Sequence, residues 1–327
     1  MSMNRRDLLS TLGAGALMAG APSAFAQAAG WPNRPIKLIL PFGPGSASDV
    51  LARSYSEPLS QKLGQPIVID YKPGANSTIG TSLVARSAPD GYTFGMLTNS
   101  GLAASPGGLT DGVNYDTLKD FSYITMVAAL SYVFLASASS PARTLKEAVE
   151  HIRANPGKLS YGSGNTGGIT FMGHFAKQQG LNIAHVPYKS VPPAVTDLAA
   201  GHVQYLVADI SSSQAMLQTG KVRALAVPTA QRHPLLPDVP TYAEAGFPTP
   251  PDFSGWWALT APAGVPNEIL DRMNAEVTAI LRTTEVRDTL LKRGITAIPS
   301  SRDEATRYQR EQLQIWTKMI AETGLKG

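Results

Sequence analysis

From Trp31 to Val227 short apolar runs alternate with stretches of helical period, and run after run ends in a loop of glycines and small polar residues. That alternation predicts mostly parallel sheets whose polar loops gather at the carboxyl edges of the strands, where such sheets take ligands. The first unit is Lys37–Asp49. Ile36–Leu40 reads as a buried strand, Pro41–Gly45 as a loop of two prolines and two glycines, and Ser46 as the N-cap of a helix continuing through Val50–Leu63. Ser46 and Asp49 have the spacing of a capping box. Strand, glycine loop and helix together point free backbone N–H groups at an anion. A tight turn with an ordinary cap is an equal reading of this loop taken alone. Pro58 predicts a kink or an early helix end near Ser54–Pro58.

Pro66–Asp70 and Thr93–Leu97 read as further strands, each followed by a small polar loop, Lys72–Thr78 and Thr98–Gly101. Three such loops after three strands fall on one edge of one sheet. Phe121–Ala138 is long and apolar and can hold two strands that cross to a second domain. A second alternation follows, with strands Lys158–Tyr161, Ala184–Pro187, Gln204–Ala208 and Arg223–Val227. Gly255–Thr260 is again a strand. Asn267–Leu281, Thr284–Arg293 and Arg302–Thr323 read as helices without strand partners of their own. The apolar face of the first (Ile269, Met273, Val277, Leu281) needs a sheet to cover, so the chain returns to the first domain. The expected division is a leader at 1–26, one lobe from 27–124 plus 253–327, and a second lobe from 125–252. Two crossings between lobes make a hinge.

Arg5 and Arg6 ahead of the apolar Leu8–Ala21, closed by Ala24-Phe25-Ala26, read as a removable export signal too short to span a membrane. Asn4–Leu9 resembles a twin-arginine signal, with an ordinary secretory signal as the alternative. The chain has no cysteine, so disulfides and thiolate metal sites are excluded. Its net charge of +4 comes without any basic block, so a nucleic-acid partner has no support. None of the five histidines has metal-ligand spacing, so no metal is expected. Gly162–Gly167 matches Gly-x-Gly-x-x-Gly, but the next strand ends in His185-Val186-Pro187-Tyr188 with no acid for a ribose, so no nucleotide cofactor is expected. The loop is still an anion seat at a helix N-terminus. Asp209, directly after a strand, can accept a hydrogen bond from a ligand or cap the following helix. Ser46 and Ser163 sit in nucleophile-like turns without an assignable base, and no Gly-x-Ser-x-Gly elbow occurs. Trp256 and Trp257 read as core between domains.

Several segments taken in order carry a family resemblance. Trp31-Pro-x-Arg-Pro-Ile-x-Leu-Ile-x-Pro-Phe-x-Pro-Gly45, Lys72-Pro-Gly-Ala75, Ala88-Pro-Asp-Gly-Tyr-Thr93, His185-Val-Pro-Tyr-Lys189, Gly220–Val227, Pro237–Thr241 and Glu244-Ala-Gly246 resemble the tripartite tricarboxylate transporter substrate-binding proteins, the TctC or Bug family. The resemblance covers nearly the whole chain after the leader. It implies an α/β fold of the two-lobed periplasmic binding-protein kind (Venus flytrap, type II-like), each lobe a mostly parallel sheet flanked by helices. It implies a monomeric, non-enzymatic periplasmic protein that holds a small mono- or dicarboxylate, aliphatic or aromatic, and passes it to membrane permease subunits. By position, the ligand would meet Phe42, Gly45, Ser46 and Ala47 in the first loop and Ser163, Thr166, Gly167 and Gly168 in the facing lobe. Asn76, Ser100, Tyr188 and Asp209 would line the sides. Ser46, Asn76, Ser77 and Ser190 stand where the family commonly has glycine, each adding a side chain at the mouth. A periplasmic hydrolase or isomerase acting on a small anion is the rival reading.

Overall fold

The computed structural model describes residues 30–250 and 254–324. The leader at 1–26 and the junction of lobes at 252/253 lie outside these residues. Two sheets form. The first runs β2-β1-β3-β10-β4-β11, from β1 (Ile36–Leu40), β2 (Ile67–Tyr71), β3 (Thr93–Thr98), β4 (Phe121–Leu130), β10 (Gly255–Pro262) and β11 (Ile295–Ala297). The second runs β7-β6-β8-β5-β9, from β5 (Tyr132–Ser137), β6 (Ser160–Ser163), β7 (Ala184–Pro187), β8 (Tyr205–Asp209) and β9 (Val222–Ala226). Among the described residues, four of the six strands in the first sheet share one direction, and four of the five in the second.

The reversed strands explain the architecture. The chain leaves the first sheet at Leu130, turns through Ser131 alone, and enters the second as β5, against the grain between β8 and β9. It returns as β10, against the grain between β3 and β4. A strand arriving across the gap must begin where its neighbours end. Accordingly Tyr132 pairs with Asp209 at the end of β8, and Trp257 with Thr98 at the end of β3. The carboxyl edges of both sheets and the starts of both crossing strands therefore meet in one place. β11 corrects the expectation of strand-free C-terminal helices: Ile295, Thr296 and Ala297 pair with Leu130, Ala129 and Ala128.

The helices that matter to the site follow the sheets' carboxyl edges. They are α1 (Ala47–Leu63), α4 (Thr166–Gln178), α5 (Val191–Ala200) and α6 (Ile210–Gln218); α2 (Thr78–Ala85) and α3 (Leu145–Ala154) lie elsewhere on the sheets. α1 runs through Pro58 to Leu63 and stops at left-handed Gly64, so the proline does not end it. A wide-turned helical segment, Ser100–Leu109, follows β3 where the sequence reads as a polar loop. The chain closes with α7 (Asn267–Leu281), α8 (Thr284–Leu291) and α9 (Arg302–Thr323). β5 is buried on both faces: Tyr132, Phe134 and Ala136 join the larger core, while Val133 and Leu135 join a smaller one with Val195, Leu198 and Leu206. This is why residues 132–136 read as an unbroken apolar run instead of an alternating one. Behind the gap the halves are braced. Lys177 of α4 donates to the Glu322 carbonyl of α9, and Gln214 of α6 donates to the Lys292 carbonyl at 3.1 Å.

Candidate functional site

Between the two sheet edges lies a cavity of about 90 Å³. That is several times the ~10–15 Å³ that one water needs on the same measure. From the first sheet it is lined by Phe42, Ser46, Ala47 and Ser48, by Thr98, Asn99 and Ser100, and by Trp256 and Trp257. The second sheet adds Gly164, Asn165, Ser190, Val191, Pro192, Asp209 and Ser212, and the crossings add Leu130, Tyr132 and Gly255. Among these described residues there is no lysine or arginine.

What supplies positive potential is backbone. Ser46, Asn165, Ser190 and Asp209 are the N-caps of α1, α4, α5 and α6, so four helix N-termini open on one cavity. A first turn carries N–H groups that its own helix cannot satisfy, together with the positive end of the helix dipole; α5 offers fewest, because Pro192 and Pro193 have no N–H. In α1 the Ser46 hydroxyl accepts from Asp49 N–H at 3.3 Å, half of a capping box. The Asp49 carboxylate does not return to Ser46. It accepts from Gly45 N–H (2.9 Å), Arg53 Nε (2.8 Å) and the Tyr71 hydroxyl (2.6 Å). Gly45, in the left-handed region at φ 78, thus spends its amide on the loop's own carboxylate. Ala47 and Ser48, the first two residues of α1, both line the cavity.

Burial works to raise the Asp49 pKa, but the Gly45 amide, Tyr71 and Arg53 outweigh it and hold the carboxyl below its ordinary value of 3.8. A lowered carboxylate pKa contributes stability that is complete above the unfolded value and lost as pH falls through the folded one. Asp49→Asn is expected to cost about 1–3 kcal/mol at neutral pH. The gap to the parent should close as the pH is taken below 3.8. Urea unfolding at both pH values checks this.

The second polar loop is a buttress. Ala75, Asn76 and Ser77 all have positive φ (45, 49 and 74), a strained run for residues with side chains. Hydrogen bonds pin it: Asn76 Nδ2 donates to Thr110 Oγ1 at 3.2 Å, and the Ser77 and Thr98 hydroxyls lie 3.4 Å apart. Asn76 does not line the cavity; the run supports it through Thr98.

Of the residues singled out from sequence, the fold brings Phe42, Ser46, Ala47, Ser100 and Asp209 to the cavity. Gly45, Asn76, Ser163, Thr166, Gly167, Gly168 and Tyr188 are not among its lining. The glycines of the second loop serve packing. A β-carbon on Gly167 would stand 2.0 Å from the Tyr132 ring, and one on Gly168 2.6 Å from the Val207 carbonyl oxygen. Thr166 is buried in the first turn of α4, and its carbonyl accepts the Thr170 hydroxyl. The Tyr188 hydroxyl turns to α5 and donates to Asp197 at 2.7 Å. Ser163 acquires the partner its sequence did not reveal, His185 Nε2 at 2.6 Å. Yet Ser163 is 1 % exposed, and burial holds the His185 pKa below its usual value. Asp209 fills both suggested places. It caps α6 by accepting Ser212 N–H at 2.8 Å, and it lines the cavity. Burial pushes its carboxyl above the ordinary range, against the pull of the Ser212 hydrogen bonds. Trp256 and Trp257 are buried core as expected, and they also floor the cavity, with Trp257 Nε1 donating to Ser48 Oγ at 2.7 Å.

A family model described as the tripartite tricarboxylate transporter family receptor, TctC, matches residues 51–325. The chain belongs to this family. Relatives of this TctC chain include protein BugT of Bordetella pertussis, 32% identical over 331 residues and covering 99% of each chain. Among solved structures, R. palustris Rpa4515 with adipate has a TM-score of 0.85 at 31% identity, over 91% of this chain and 99% of that one. MatC from Rhodopseudomonas palustris with bound malate has a TM-score of 0.80 at 27% identity, over 89% and 100%. The periplasmic binding protein BugD has a TM-score of 0.82 at 27% identity, over 90% and 99%. This TctC chain is thus a two-lobed α/β protein of the periplasmic binding-protein kind.

Ser48, Asn165 and Ser212 also line the cavity without having been singled out from sequence, while Ser190 and the Thr98–Gly101 loop with Asn99 stand at the mouth and edge where the sequence puts them. The signal that finds several of them is capping. Asn165 precedes an apolar helical run by one residue, and Ser190 stands directly before Val191-Pro192.

Proposed function

We propose that this chain is the substrate receptor of a tripartite tricarboxylate-type transporter. In this reading it is exported by its leader, works as a monomer in the periplasm, and catalyses nothing. It closes its lobes, 27–124 plus 253–327 and 125–252, around one small carboxylate and delivers it to membrane permease subunits. The observation that carries the reading is the convergence of four helix N-termini, three of them side-chain capped, on one cavity with no lysine or arginine among its described lining residues. Oriented N–H groups can replace the water around a carboxylate without placing a strong ion pair in the site. Release to a partner then requires only that the lobes part. Rpa4515 with adipate and MatC with malate support a carboxylate as guest.

The test uses purified protein stripped of ligand by unfolding and refolding. A panel of mono- and dicarboxylates is added and melting temperature is followed. A cognate acid at a hundred times its Kd should stabilise the fold by about 2.7 kcal/mol and be recovered unchanged. No shift with any acid, or chemical conversion of one, would overturn the proposal. A hydrolase built on Ser163 and His185 has poor access, since Ser163 is buried away from the cavity lining.

A further inference from the structure

The cavity is polar in an uneven way. Asp209 is its only carboxylate among the described residues, and it is 3 % exposed. One oxygen accepts Ser212 N–H at 2.8 Å and the other accepts Asn165 Nδ2 at 3.4 Å, with the Ser212 hydroxyl as a further donor to the carboxylate. A carboxylate offers about four lone-pair sites, so this side retains acceptor capacity. A ligand carboxylate placed beside ionised Asp209 would meet a like charge in a buried setting, with no lysine or arginine among the described lining residues to offset it.

The first sheet presents the opposite character. Asn99 lines the same cavity, is 4 % exposed, and its Nδ2 has no hydrogen-bond partner. A buried donor left unpaired is costly, which marks the place where an acceptor belongs. The last torsion of a terminal amide is soft, so Asn99 can turn its nitrogen to a guest. Ala47 and Ser48, in the first turn of α1, line the same cavity, and a first helical turn has N–H groups that its own helix does not bond.

We infer that the guest is a carboxylate that also carries an O–H or N–H donor, a hydroxy acid or an amino acid, with its carboxylate on Asn99 and the first turn of α1 and its donor on Asp209. This deepens the receptor reading above and rests on it. Asn99 fixes the end common to all acids, and Asp209 decides among them. A plain fatty acid leaves the remaining acceptor capacity of buried Asp209 unused. A dicarboxylate long enough to reach Asp209 sets two negative groups together.

Calorimetric titration of ligand-stripped protein with butyrate, its hydroxy and amino derivatives, and succinate tests this. The best hydroxy or amino derivative should bind at least about ten-fold more tightly than butyrate and succinate, the range set by one hydrogen bond to a charged group. Asp209→Asn keeps a good helix cap, so it should fold as the parent does. It should cut that preference about ten-fold while leaving butyrate little changed. Asn99→Leu should weaken butyrate and its derivatives alike. Butyrate or succinate binding as tightly as every derivative, or an unchanged preference in Asp209→Asn, would overturn this inference while leaving the receptor reading intact. Failure of every acid to bind would remove both. Melting temperatures without ligand identify any variant that fails through misfolding.

Discussion

Gly164→Ala is expected to lower stability by about 3 kcal/mol and to abolish capture of any acid. A β-carbon at this position would lie 2.2 Å from the carbonyl carbon and oxygen of Ser190 and 2.3 Å from Val191 N. Those are backbone atoms at the start of α5, and no rotamer change moves them out of the way. The helix must shift as a body, and it takes Ser190, Val191 and Pro192 away from the cavity they line. One methyl therefore displaces two of the second sheet's contributions together, the Gly164-Asn165 loop and the α5 cap. Gly43→Ala, in the facing loop, is the control. No atom lies within 4 Å of its added carbon, and its φ is not positive, so the change should stay within about 0.5 kcal/mol. Urea unfolding of both variants, with ligand titration of whatever remains folded, decides the matter. A Gly164→Ala protein of parental stability would show that α5 yields at no cost.

Tyr132→Ala should cost about 3–5 kcal/mol, as removal of a large buried aromatic side chain does. The ring packs 5.0 Å from that of Phe171 and fills the space beside Gly167 and Gly255. Its loss also enlarges the cavity that it lines. Affinity for short acids should fall, and longer or branched acids should gain relative to them. Tyr132→Phe keeps the ring and should preserve most of the stability. Denaturant titration of the three proteins, with binding across acids of increasing length, reads both effects. An unchanged length preference in Tyr132→Ala would mean that the ring does not bound the guest.

Much of the architecture was written plainly in the sequence. Ile36–Leu40 and Ala184–Pro187 occur at their predicted limits, as do Asn267–Leu281 and Arg302–Thr323, because each has a strong period or sharp boundaries. β11 escaped because three residues have no period; their pairing with β4 is set by tertiary contact. Ser100–Leu109 escaped because glycine, proline and small residues read as loop, while packing against α9 holds them in helical turns. The site divides on the same physical line. The first loop was legible because strand, glycine turn and capped helix are contiguous in the chain. Gly167 and Gly168 read as part of an anion seat, whereas in the fold their missing β-carbons make room for Tyr132 and the Val207 carbonyl. Asn99 lies in the polar loop Thr98–Gly101 that the sequence places on the sheet edge, but nothing local sets it apart from its neighbours. Only the fold reveals that its amide is buried and unanswered.

The short link at Leu130-Ser131-Tyr132 has a mechanical meaning. Leu130 and Tyr132 belong to the cavity wall and also to the strands that leave one sheet and enter the other. In the proposed closure, a guest held there is a wedge at the axle of a pair of jaws. Near an axle a small difference in thickness becomes a large difference in opening at the tips. On the receptor reading proposed above, guests that differ by a single methylene would present different outlines at the far rims, and the permease partner of that reading would measure the guest without touching it.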